Sequence, residues 1–520
     1  MLDKLGSSMK PIVLIHGYSS ESPTPDPISV ANIYGTLPQR LRASYEVVEV
    51  NLSRYVSLND SVSVADIARG LNRALLEQHQ TLLENGFNVV IHSTGALVIR
   101  TWIKLFSPKP SPIHNLVYLA GANLGSGWAS IGQGQVARWG RFVFERGAQR
   151  GLKVLQSLEL GASPTIDLHL SFTRGDSRMV EDYKVQEFVI VGTQADASWF
   201  EFPVRYAHED GSDGVVRVSA ANLNFNHLEI GPKDGTPFLP WAAIKAAVQA
   251  AEAKTDFPEY YEVKSASFAG KDRPLVPCGI PYRCAHTGDK MGIVSGTIPQ
   301  DQVERMLKLA LETPERTSTA WQRVVAAYDR ETGQTFDSAR GMQKPGLFNF
   351  LADPRNQYDP HAQIVIRLRD QDGLPIPIAQ SDVFFVSNQQ EKGTIPIQTL
   401  IQDTSVSGVS PNSILFYLRV QKFIRKEQNW VDQLRDVFDF ALEITAIEPA
   451  AQRESPLVSY LPLRLPLNRR QMSALIQPHR TASRNAESVR CRPTVNCGKR
   501  PNRFRSSVTR AIPARNASAG

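Results

Sequence analysis

Residues 89–97 read Val-Val-Ile-His-Ser-Thr-Gly-Ala-Leu, an apolar strand running straight into a serine flanked by small or polar residues. The residues that follow have the pattern of a helix. A strand that turns sharply into a helix lifts a serine Oγ out of the sheet, and the positive end of the helix favours developing negative charge. Ser93 is therefore the candidate nucleophile of an acyl-transfer reaction. The usual spacing is Gly-x-Ser-x-Gly, and here Ile91 holds the first glycine position. A β-branched residue there crowds a tight turn and predicts a slightly remodelled loop.

A serine hydroxyl is a weak nucleophile at neutral pH, so it needs a base, and the base needs an acid to fix its tautomer. Two phrases supply them: Ser212-Asp213-Gly214-Val215-Val216 and Asn226-His227-Leu228-Glu229. The chain order Ser93, Asp213, His227 is one in which such triads occur. Two other acids remain open. Asp196 follows the apolar run Glu187–Gly192, read as a late core strand, and Asp210 is close in sequence. His208 precedes the acid and so has the wrong order. Upstream, Pro11-Ile12-Val13-Leu14-Ile15-His16-Gly17-Tyr18 is a short apolar strand ending in His-Gly.

These phrases, with Leu119-Ala120-Gly121-Ala122-Asn123-Leu124-Gly125-Ser126, resemble the bacterial lipases of the α/β-hydrolase superfamily over roughly residues 10–255. The resemblance implies a triad of Ser93, Asp213 and His227. It also implies an oxyanion hole made by the backbone N–H groups of Tyr18 and Thr94. Some relatives carry an acidic calcium ligand just after the catalytic histidine, where Glu229 stands, but no metal and no cofactor is assigned. The implied function is serine carboxylic-ester hydrolysis through an acyl-enzyme, on lipidic or simple acyl esters. An acyltransferase or phospholipase would use the same triad. A non-catalytic binding module with this fold would call for an incomplete one.

The remaining histidines read as structural. His16 and His92 lie beside the active loops and shape them, while His79, His114, His169, His286 and His361 show no ligand spacing. Cys278/Cys284 and Cys491/Cys497 are too sparse for a zinc ribbon. The first pair reads as free thiols, with a disulfide as the alternative.

The net charge of +7 over 520 residues is carried by one end. Residues 479–520 hold ten Lys/Arg and one acidic residue, leaving 48 basic and 50 acidic residues elsewhere, so the charge does not mark a nucleic-acid enzyme. No stretch of 18 apolar residues spans a membrane, and no hydrophobic leader precedes the first strand. The expected location is cytoplasmic, with leaderless secretion as the alternative.

The elements that must position these residues alternate strand and helix in the first half, the pattern of a mostly parallel sheet covered on both faces. This predicts a catalytic domain over residues 1–256, closed by a helix at 241–254, with an inserted cap or lid over about 125–182. The lid's apolar face would meet a lipid surface transiently. Residues 257–299 are rich in Gly and Pro and read as a linker. Residues 300–468 begin with two helical stretches and continue as a β-rich, sandwich-like accessory domain; 469–520 read as a disordered basic tail.

Overall fold

The computed structural model describes residues 10–16, 33–52, 55–56, 61–127, 152–195, 209–234, 261–314, 318–342, 353–370, 373–387, 395–434, 440–446, 458–460, 463–467, 509–511 and 513–515. They form two compact units, Met1–Leu223 with Leu275–Tyr358, and Asn224–Pro274 with Asp359–Gly520. In chain order the elements as far as residue 340 are β1 (Ile12–His16), α1 (Leu37–Arg42), β2 (Val47–Asn51), α2 (Val64–Gln78), α3 (Gln80–Asn85), β3 (Phe87–His92), α4 (Gly95–Phe106), β4 (Ile113–Leu119), α5 (Leu152–Leu158), α6 (Ser163–Ser171), β5 (Gln186–Ile190), α7 (Val218–Ala221), β6 (His227–Pro232), β7 (Tyr261–Ser267), β8 (Cys278–Gly279), α8 (Gln300–Leu311) and α9 (Ser318–Arg340).

The first unit is built on a six-stranded sheet in the order β2-β1-β3-β4-β5-β8, and every pairing in it is parallel. A parallel sheet must be covered on both sides, and its strands are accordingly apolar throughout rather than alternating. One face, carrying Leu14, Val90, Val117 and Phe188, packs with Leu37 and Leu41 of α1, Val303, Met306 and Leu307 of α8, and Trp321 and Tyr328 of α9. The other face presents the alternate residues, including Val89, Ile91 and Tyr118, all fully buried. Helix α4 covers that side: its Arg100 bonds Glu187 and Tyr118 of the sheet. α2 packs against α4. Its start is fixed by a capping box in which Ser63 and Asp66 satisfy each other's backbone N–H.

This division corrects the expected domain boundaries. The segment 257–299, read as a linker, contains β8, the edge strand of the central sheet, paired with β5 through Val189–Cys278 and Ile190–Gly279. The two helices assigned to the accessory domain are α8 and α9 of the first unit. A two-residue strand has no periodicity to read, and an amphipathic helix does not say which sheet it covers. The expected closing helix at 241–254 lies outside the described residues, as do 128–151 of the expected lid.

The second unit takes β6 and β7, then β9 (His361–Asp370), β10 (Ser381–Ser387), β11 (Ile401–Val406), β12 (Ser413–Arg419), β13 (Gln421–Ile424), β14 (Asn429–Asp432), β15 (Phe440–Ala446), β16 (Val458–Tyr460), β17 (Leu463–Leu467), β18 (Thr509–Ala511) and β19 (Pro513–Arg515). Its main sheets run β11-β12-β9-β18-β6-β7 and β10-β15-β17. They share one core, in which Ile366, Phe416 and Leu418 of the larger sheet meet Phe385, Leu442 and Ile444 of the smaller. The expected sandwich is thus present, with β6 and β7 recruited from the region assigned to the catalytic domain. In the expected tail, Thr509–Ala511 pairs with β9, whereas most of 469–520 lies outside the described residues.

Candidate functional site

Ser93 sits one residue beyond β3, at the carboxyl end of the sheet, where parallel α/β folds place their ligands. Its φ of 53° is in the left-handed region, which a non-glycine residue occupies only when its surroundings compel it. They do so here. Ser93 N–H donates to the Leu119 carbonyl (3.1 Å), and the Ser93 carbonyl accepts from Ala122 N–H and Ala96 N–H, both at 3.2 Å. Ile91, the departure from the usual glycine, is fully buried, and a Cβ at Gly95 would lie 3.4 Å from the Ile91 Cβ, an ordinary contact.

Asp213 lies in a tight turn after β5. Its Oδ1 accepts from the N–H groups of Val215 (2.9 Å) and Val216 (2.7 Å), and Gly214 takes a φ of 94° to let the chain fold back. The expected Asp-Gly-Val-Val phrase therefore encodes a carboxylate cradle. Its second oxygen, Oδ2, faces a histidine.

That histidine is His286. Its Nδ1 is 2.9 Å from Asp213 Oδ2 and its Nε2 is 3.0 Å from Ser93 Oγ. Asp213 and His286 are fully buried, and Ser93 is nearly so. His286 N–H also donates to the Asp213 carbonyl at 3.0 Å, tying the two loops backbone to backbone. Because Asp213 Oδ2 can only accept, Nδ1 carries the proton, and Nε2 is left to accept from the Ser93 hydroxyl. Gly192, at the end of β5, makes room for this loop: a Cβ there would fall 2.1 Å from the Cys284 carbonyl oxygen and 3.2 Å from the Asp213 Cβ.

His227 is the correction. It opens β6, opposite Ser267 of the antiparallel β6–β7 pair, and belongs to the second unit. The position between Ser93 and Asp213 is held by His286, from a stretch in which no ligand spacing was found. The Asn-His-Leu phrase holds the first histidine after Asp213, but not the one that reaches it. The chain instead leaves the first unit over residues 224–274 and returns through β8, so His286 comes after the last strand of the parallel sheet. The usable signal was the short apolar phrase Val276–Ile280 with a histidine six residues beyond it.

Of the other expected residues, Thr94 is the N-cap of α4 and nearly buried, and Asp210 lies in a turn two residues before Ser212. Tyr18 and Asp196 lie outside the described residues. Glu229 Oε2 accepts from Ser265 Oγ at 3.0 Å. Cys278 and Cys284 are free and buried, and burial raises both thiol pKa values above their ordinary range.

His92 packs on His286. Its ring lies 4.8 Å from that of His286, and its Nε2 is 3.2 Å from the His286 carbonyl oxygen, to which it donates. Burial, reinforced by the charge of a protonated His286, pushes the His92 imidazole down to about 3. It stays neutral and holds the backbone of His286.

A family model described as palmitoyl protein thioesterase matches residues 11–150. No curated protein sequence matches the chain significantly. Among solved structures, phospholipase PlaB from Legionella pneumophila is similar over 97% of this chain and 93% of its own, at 19% identity and a TM-score of 0.68. The same protein in complex with thio-NAD gives 0.67 over the same shares, again at 19% identity. The mature lipase BlEst2 from Bacillus licheniformis covers 42% of this chain and 80% of its own at 17% identity, with a TM-score of 0.29. The fold is that of an α/β-hydrolase. The parallel sheet, the strained serine after its third strand in chain order and the later acid and histidine all fit it.

Proposed function

We propose that the chain is a serine hydrolase that cleaves carboxylic esters of lipidic acyl groups through an acyl-enzyme. The observation that carries this reading is His286 bridging Ser93 Oγ and Asp213 Oδ2 at 3.0 and 2.9 Å. In the forward step Ser93 Oγ bonds to the ester carbonyl carbon, the π pair moves onto the carbonyl oxygen, and the Oγ proton passes to His286 Nε2. Asp213 stabilises the imidazolium. Collapse breaks the bond to the alcohol, which takes that proton from His286; water then repeats the cycle to release the acid. The Thr94 N–H, at the positive end of α4, supplies one oxyanion donor. By resemblance the Tyr18 N–H supplies the other.

Likeness to a phospholipase supports phospholipid esters within this class. The match to a thioesterase model supports a second reading, cleavage of a fatty-acyl thioester, since the same attack serves either leaving group. The test is a substrate panel of p-nitrophenyl acyl esters of increasing chain length, phospholipid vesicles and a palmitoyl thioester, run with wild type and Ser93→Ala. We expect Ser93→Ala to lose at least about 10³-fold in turnover while keeping its thermal transition. Retention of more than a few per cent of activity would sink the reading. Preference within the panel decides between oxygen ester and thioester.

A further inference from the structure

Thr94 carries two hydrogen-bond donors that reach no acceptor among the described residues: its backbone N–H and its side-chain hydroxyl. The N–H is one of the groups any helix leaves open at its first turn. The hydroxyl is different. It is fully enclosed on a residue only 5% exposed, and burying a hydroxyl without a partner is costly. The side-chain oxygen of a threonine or serine at a helix N-cap ordinarily accepts from an N–H of the first turn, yet Thr94 makes no such side-chain bond. Valine would fill the same volume without an orphaned polar atom. An orphan beside the nucleophile is therefore most simply a donor whose acceptor arrives with the substrate.

We propose that the Thr94 hydroxyl is an oxyanion donor in its own right, working with the N–H of the same residue. The inference rests on the ester-hydrolase reading and deepens it. When Ser93 Oγ bonds to the carbonyl carbon, the negative charge collects on an oxygen beside the start of α4. The Thr94 N–H and Oγ1–H both donate to it and both keep their protons. The enzyme then holds two of its donors on one residue, fixed by a turn that Ser93 N–H and Ala122 N–H pin in place. A donor aimed at charge that exists only in the transition state raises kcat and leaves ground-state binding largely alone.

The test compares full-length Thr94→Val and Thr94→Ser with wild type on a soluble short-chain ester and on an alkyl boronic acid, which forms a tetrahedral adduct with the nucleophile. We expect Thr94→Val to lower kcat about 10²-fold with KM changed little, and to weaken the boronic acid in parallel. Its melting temperature should equal or exceed that of wild type, because no hydrogen bond is lost. Thr94→Ser should stay within about tenfold of wild-type kcat. Should Thr94→Val not fold, Thr94→Ala takes its place against Thr94→Ser. Wild-type kcat in the hydroxyl-free variant overturns the proposal. Equal losses in the Ser and hydroxyl-free variants, with lowered melting temperatures, also overturn it by showing a packing role. Failure of the reading beneath it is distinguishable: activity surviving in Ser93→Ala would remove the nucleophile, whatever Thr94 does.

Discussion

His286 is positioned twice over, through its side chain by Asp213 and through its backbone by the Asp213 carbonyl and the His92 ring. Replacing it with glutamine leaves a buried amide of similar length that cannot carry the proton from Ser93 to the leaving group. We expect His286→Gln to lower kcat/KM by at least about 10³-fold. His227→Gln, at the head of an antiparallel strand in the other unit, should stay within about tenfold, its changes following stability rather than chemistry. Steady-state kinetics on one soluble ester checks both, and the opposite ranking would return the base to His227. The surroundings of Ser93 and Asp213 were legible in the sequence because each is encoded locally. Ser93 needs a strand, a turn and a helix within a few residues, and Asp213 needs a glycine and two amides directly after it. His286 has no local code. Its role comes from a strand two residues long and from the return of the chain after an excursion through another unit.

The elbow helix α4 is clamped to the sheet by a buried polar cluster as well as by apolar packing. Arg100 of α4 pairs with Glu187 of β5, and Tyr118 of β4 donates to the same carboxylate at 2.6 Å. Burial opposes the Arg100 charge, but Glu187 and Tyr118 outweigh it and keep the guanidinium protonated. The Arg100 guanidinium also lies over the Phe172 ring, beside α6. One helix and two strands are thereby fixed in register behind Ser93. Removing one partner leaves an uncompensated buried charge, so Arg100→Met should cost about 3–5 kcal/mol of unfolding free energy. Arg100→Met/Glu187→Met should recover a large part of that loss, since a matched apolar pair avoids desolvation altogether. Urea unfolding of the two variants decides it, and a double variant no more stable than the single would show that the cluster is needed for more than charge balance. The periodicity of α4 and the run of β5 were readable in the sequence. The pairing was not, because it depends on strand order, which no local pattern specifies.

At the scale of the whole molecule, the first unit is discontinuous. Its sheet is completed by β8, one of its faces is covered by α8 and α9, and its candidate base is His286, all of which follow an excursion of the chain into the second unit. A fragment ending at the expected domain boundary, residue 256, leaves all of these out. Such a fragment would expose Leu14, Val90, Val117, Phe188 and Ile190, which in the protein are buried against the helical layer that includes α8 and α9. A parallel sheet with one face uncovered has no stable solution in water. It would also strand β6 without β9 and β12, with which it shares the second unit's core. We expect a 1–255 fragment to be insoluble or to lack a cooperative thermal transition, and to hydrolyse no ester even when refolded. Truncation after residue 358 keeps every strand and helix of the first unit and the whole Ser93–His286–Asp213 arrangement, but removes most of the second unit. Measured side by side on a soluble ester, the shorter fragment should be inert, and whatever activity survives should be found only in the longer one. Ester hydrolysis by a folded 1–255 fragment would mean that some residue other than His286 serves as the base.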